Sequence, residues 1–137
     1  MRVARHSLTG MTPPSMDALL ATCRRERIDV YRIPLDGLFG AWELDTRSIW
    51  VDRRLSDRYA APVLAHELIH AHRRDPGCQP TRVEEWIDER VARIYVDPAA
   101  YARAERIRGP YPGAIADELD LPQWVIEAWQ RSLQRAA

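Results

Sequence analysis

Lysine and asparagine are absent from this chain, and each absence narrows its reading. All 20 basic residues are therefore arginine, balanced by 20 acidic residues to a formal net charge of zero. A neutral chain has no global attraction for nucleic acid, an anionic membrane or an acidic substrate, so partner choice rests on local surface. Lysine and asparagine codons are AT-rich. Their joint absence points to a GC-rich bacterial or phage genome, since selection for guanidinium chemistry would cluster the arginines. Cysteine is scarce too: Cys23 and Cys78 lack CxxC spacing and cannot make a disulfide framework, so free thiols in a reducing cytosol are expected. No apolar run approaches the ~20 residues of a membrane span, and Met1 to Gly10 has charges but no apolar signal core. These features lead to the expectation of one soluble, cytoplasmic domain over residues 1–137, monomeric or weakly oligomeric, with no membrane partner.

Turn signals and hydrophobic period divide the chain. Ser15 can cap a helix from Met16 to Arg27 with Leu19, Leu20 and Cys23 inward. Alternation then marks three strands, at Ile28 to Ile33, Leu38 to Leu44 and Arg47 to Val51. Turns at Pro34-Leu35-Asp36-Gly37 and Asp45-Thr46 make an antiparallel meander the economical arrangement, with the last strand at an edge. Ser56 is a possible N-cap, and Pro62 marks a kink or a true helix start. That helix is expected to end after His72, before the Asp75-Pro76-Gly77 turn. Thr81 caps a helix over Arg82 to Val96, stopped by Asp97-Pro98. A further helix follows near Ala99 to Arg106, and a helical pair over 112–134 comes after the Gly109–Gly113 breaker.

The chemistry lies in His66-Glu67-Leu68-Ile69-His70. Histidines four apart on a helix share one face, where both can reach one divalent ion, and Glu67 beside them can act as general base. With four histidines in 137 residues, a random H-E-x-x-H match is expected on the order of one time in a hundred or less. The surrounding Val63, Leu64, Ala65, Leu68, Ile69 and Ala71 describe a buried helix, which has to have a reason to carry three polar side chains.

Catalytic zinc generally takes three protein ligands, so a third must be found. His72 points away around the helix, and His6 is far along the chain. The next helix crowds Glu84, Glu85, Asp88 and Glu89 into two turns. Glu85 and Glu89 are four apart and share a face, so Glu85 is the favoured ligand, with Glu89 holding the other nitrogen of a ligand histidine. A solvated acidic face paired with Arg82, Arg90 or Arg93 is the alternative. Most of the five tryptophans are expected in the core, with Trp86 a candidate wall of the site.

Together, residues 28–134 resemble the ImmA/IrrE metallopeptidases. The resemblance is carried by a small strand region, Trp50-Val51 preceding Leu64-Ala65-His66-Glu67-Leu68-Ile69-His70, a Glu-rich helix closing on Pro98, and a terminal helical pair. It implies a minimal gluzincin, an α+β zincin-like fold with an antiparallel three-stranded sheet on the H-E-x-x-H helix and a following Glu-bearing helix. It also implies zinc, and cleavage of a helix-turn-helix repressor in a phage, mobile-element or stress-response setting. Aligning the closing proline on Pro98 puts the ligand on Glu85. The chain departs from the family where Glu89 replaces Asn and Val91 replaces Phe.

The resulting expectation is a site-specific zinc endopeptidase. His66, His70 and Glu85 hold the metal, Glu67 takes the proton, and the substrate adds to the strand Arg47 to Val51. Tyr59, Tyr95, Tyr101 and Tyr111 are the candidate oxyanion donors. Two other readings are a metal-binding regulator without turnover, and a DNA-binding protein using the terminal pair. The latter has only Arg131 and Arg135 for phosphate contact, so direct nucleic-acid binding is not expected.

Overall fold

The computed structural model describes residues 12–137, which excludes His6 and the Met1–Gly10 segment. Helix α1 (Met16–Arg25) begins where Ser15 Oγ accepts the Ala18 amide at 3.1 Å. It buries Met16, Leu19 and Cys23 and ends before Arg27, whose φ of 58° turns the chain. Three strands follow, β1 (Asp29–Ile33), β2 (Gly40–Glu43) and β3 (Ser48–Asp52).

Their order corrects the expected meander. The sheet runs β1-β3-β2, with β1 parallel and β2 antiparallel to β3, so the last strand is central and not an edge. Burial explains the choice. In β3, Ile49 and Val51 are fully buried and Ser48 and Asp52 nearly so, whereas β1 alternates between exposed and half-buried. A central strand loses both edges to hydrogen bonding, and the most apolar inner face takes that place. The segment 34–39 carries the chain from one edge of the sheet to the other.

Helix α2 (Asp57–Arg73) starts five residues before Pro62 and runs through it, with Ser56 Oγ accepting the Tyr59 amide at 3.3 Å. Its buried Val63, Leu64, Ala65, Leu68 and Ala71 pack with Trp42, Ile49 and Val51 of the sheet and with α1. Arg74 closes it in the left-handed conformation (φ 58°). Helix α3 (Thr81–Tyr95) follows. Its stripe Ile87–Val91 joins this first core, while Ala92 and Val96 join a second. The second core is built by α4 (Pro98–Arg108), α5 (Pro112–Leu119) and α6 (Gln123–Ala136), through Tyr101, Ala104, Ile115, Val125, Ile126 and Ala128. The terminal pair turns at Asp120 (φ 54°) and packs into this second core, with Trp124 bridging the two cores. The chain is thus α+β, a three-stranded mixed sheet with six helices among the described residues. No helix among those residues is long and apolar enough to cross a membrane.

Candidate metal centre

His66 and His70 stand one turn apart on α2, and both turn Nε2 toward one oxygen of Glu84 at the start of α3, each at 3.0 Å. Every ligand atom of this trio lies within 4.8 Å of the others. The second Glu84 oxygen accepts the Gln79 amide at 2.9 Å, which fixes the carboxylate from behind. Burial would raise the Glu84 pKa, but the Gln79 amide and the two histidines outweigh it and hold it below the ordinary value.

Both remaining ring nitrogens are also held. His66 Nδ1 lies 2.8 Å from Asp88 Oδ1, and His70 Nδ1 lies 2.8 Å from Asp75 Oδ2. Asp75 is itself pinned: Arg73 Nε donates to its carboxylate at 2.9 Å, and the buried Trp42 indole donates to its carbonyl at 2.9 Å. Asp88, Glu67 and Glu84 outweigh the effect of burial on His66 and raise its pKa.

The donor set tests whether a cation fits. A neutral imidazole has one N–H and a carboxylate only accepts, yet each ring here faces carboxylates from both nitrogens. With the Nδ1 protons donated to Asp88 and Asp75, both Nε2 lone pairs and Glu84 Oε1 converge on one point. That arrangement is unfavourable unless the rings are doubly protonated or a cation sits between the three atoms. Tetrahedral corners on bonds of about 2.0–2.2 Å lie roughly 3.3–3.6 Å apart, so the observed 3.0 Å spacing needs only a small expansion. The residues present fit a zinc-class ion.

Glu67 completes the cluster. It is buried, 7% exposed, with Oε2 at 3.9 Å from His66 Nε2. Burial pushes its carboxyl above the ordinary carboxylate range, opposed by His66 and His70. Gly40 on β2 closes over it. A Cβ there would lie 2.6 Å from Val63 Cγ1 and 3.3 Å from Glu67 Cγ, so only glycine lets the strand pass this near. The Phe39 carbonyl accepts the Asp52 amide at 2.8 Å, and antiparallel alternation then leaves the main-chain groups of Gly40 and Trp42 on the free edge.

No protein-family model matches this chain, and no curated protein matches it in sequence.

Several expected positions change. Glu85, expected as the third ligand, lies on the other side of α3 with its carboxylate 3.2 Å from Arg131 Nε. Glu89, expected behind a histidine, is buried against Arg135 Nε at 3.1 Å and Arg131 Nε at 3.6 Å. The reason is helix phase: Glu84 and Asp88 share the stripe of Ile87 and Val91, which faces α2, while Glu85 and Glu89 share that of Ala92 and Val96, which faces α6. That apolar stripe was the signal available in the sequence. Asp75 had no such signal, because it reaches His70 only after the left-handed turn at Arg74.

Other side chains fall outside the cluster. His72 points away, as expected, and pairs with Glu26 at 2.7 Å. Trp86 is exposed between Arg73 and Arg90 and does not wall the site; Trp124 instead meets the His66 ring edge-on at 6.1 Å. Of the tyrosines, Tyr95 donates to the Pro14 carbonyl and Tyr101 to Glu105, while Tyr59 faces Asp120 and Tyr111 is exposed. The proposed phosphate-contacting residues Arg131 and Arg135 are engaged with Glu85, Asp88 and Glu89.

Proposed function

We propose that the chain is a zinc-dependent endopeptidase whose metal is held by His66, His70 and Glu84. The observation that supports it is the convergence of three lone-pair atoms beside a buried glutamate, with both histidines oriented from behind by aspartates. A zinc ion bound there supplies Lewis acidity toward a carbonyl and toward water. The chain's own residues do the rest. Asp88 and Asp75 hold the Nδ1 protons and keep each Nε2 free for the ion. Glu67, its carboxyl held above the ordinary carboxylate range by burial, takes a proton from the attacking water as the water oxygen adds to the scissile carbonyl carbon. It then hands that proton to the departing amine as the C–N bond breaks. The peptide lies along the free edge of β2 at Gly40 and Trp42, not along β3, whose two sides are already paired.

The resemblance to the ImmA/IrrE peptidases, and with it a zincin-like packing, extends this reading to a helix-turn-helix repressor as substrate in a bacterial, phage or mobile-element cell. The test is incubation of the zinc-loaded protein with helix-turn-helix regulators from its own genome, beginning with any encoded beside its gene. Cleavage by the wild type is expected, and none by Glu67→Gln with zinc content and fold retained. Undiminished cleavage by that variant, or failure of the wild type to hold zinc, sinks the proposal. Zinc retention without turnover would instead identify a metal-binding regulator.

A further inference from the structure

Tyr59, Val63 and Glu67 recur every four residues on α2 and so line one face of it, each step roughly 6 Å along the axis. A cavity of about 420 Å³ opens over the first two, one turn from Glu67. Phe39 and Leu55 wall it on the sheet side, and Pro122 and Trp124 at the start of α6 wall it on the other. Trp124 joins this cavity to the metal centre, since the same indole meets His66 at 6.1 Å. Gly40, against Val63 and Glu67, brings the free edge of β2 to the junction between them.

The lining selects its occupant. Six of its eight residues are apolar or aromatic, and the two polar ones, Gln123 and Glu127, are hydrogen-bonded to each other at 3.3 Å. The one charge in the lining is the Glu127 carboxylate, which disfavours an acidic ligand, while the apolar walls and the volume suit a bulky uncharged side chain. A larger cavity of about 510 Å³, with Pro14, Arg58, Tyr95 and Leu121 in its lining, shares no residue with the histidine cluster and is no part of this site.

We infer that this pocket receives a large apolar side chain of the substrate, next to the bond that is cut, and that Phe39, Leu55 and Trp124 set the sequence preference. The inference rests on the peptidase reading for its chemistry but on the pocket's shape for its selectivity.

Two measurements separate them. Glycyl, alanyl, leucyl and phenylalanyl hydroxamates, titrated calorimetrically into zinc-loaded protein, are expected to bind in order of side-chain size, with leucyl about tenfold to a hundredfold tighter than glycyl. Leu55→Trp, which fills the pocket from a half-buried position, is expected to bring that ratio below about threefold. Phe39→Ala, at an exposed position that folding tolerates, is expected to lower it by about threefold. In parallel, cleavage of a proteome-derived peptide mixture is expected to show Leu, Phe, Met or Trp beside the scissile bond, shifted to small residues by Leu55→Trp. Equal hydroxamate affinities, or a ratio unchanged by both variants, overturn the pocket assignment even where Glu67-dependent cleavage stands. Graded binding without cleavage keeps the pocket and removes the peptidase.

Discussion

Glu84 with Asp88 and Glu85 with Glu89 have the same spacing on the same helix, yet the first pair meets two histidines, with Asp88 only at 3.9 Å from Arg131, and the second meets two arginines. Adjacent residues on a helix are about 100° apart, so a shift of one position exchanges the face toward α2 for the face toward α6. The two faces also differ in energetics. On the first, carboxylates face both nitrogens of each histidine, an excess of negative charge that doubly protonated rings or a bound cation would balance. On the second, guanidinium groups already balance the carboxylates, and the interaction holds two helices together. Four acidic residues that look interchangeable in sequence divide into a candidate metal site and a packing clamp.

Substitutions along α3 can break this comparison. Glu84→Ala is expected to weaken zinc binding by more than about a hundredfold, read by competition with a chromogenic chelator. It should also abolish the stabilisation of about 2.7 kcal/mol that zinc at a hundred times its Kd gives the wild type. Asp88→Asn, which leaves the ligands in place but loosens His66, is expected to cost about tenfold to a hundredfold in zinc affinity. Glu89→Ala tests the other face. It strips the buried partner from Arg131 and Arg135 and is expected to lower stability by about 1–2 kcal/mol in urea melts, with zinc affinity within about threefold of wild type. Glu85→Ala removes a half-exposed pair and is expected to cost below about 1 kcal/mol, with zinc affinity unmoved. If Glu85→Ala and Glu84→Ala exchanged effects, the assignment of faces would be reversed.

Much of the α2 site was legible because its parts are local. Helical spacing puts His66 and His70 on one face, and Val63, Leu64, Ala65, Leu68 and Ala71 around them are buried as their pattern requires, with Ile69 half-buried. Ser15, Ser56 and Pro98 marked helix starts or stops through capping and backbone chemistry that acts within four residues. The strand positions were legible to within two residues by alternation, but not their order. A turn signal says that the chain reverses, not which side the next strand joins, and β3 took the centre through contacts with α2 that are distant in sequence. Trp124, and not the expected Trp86, came to the site for a similar reason: tryptophan suits both an exposed surface between arginines and a wall beside a histidine.

By itself the sequence determined what is periodic or adjacent: the helices, the Ser15 and Ser56 caps though not the one expected at Thr81, the histidine pair and the glutamate beside it. Tertiary structure alone decided which carboxylates come to that pair. Glu84 and Asp88 reach it through the rotation of α3, and Asp75 through a left-handed turn after α2. The physical reason is one of range. Hydrogen bonding and side-chain period act over a turn of helix, whereas the facing of two helices is set by how their apolar stripes pack, and a residue's neighbours across that interface follow from it.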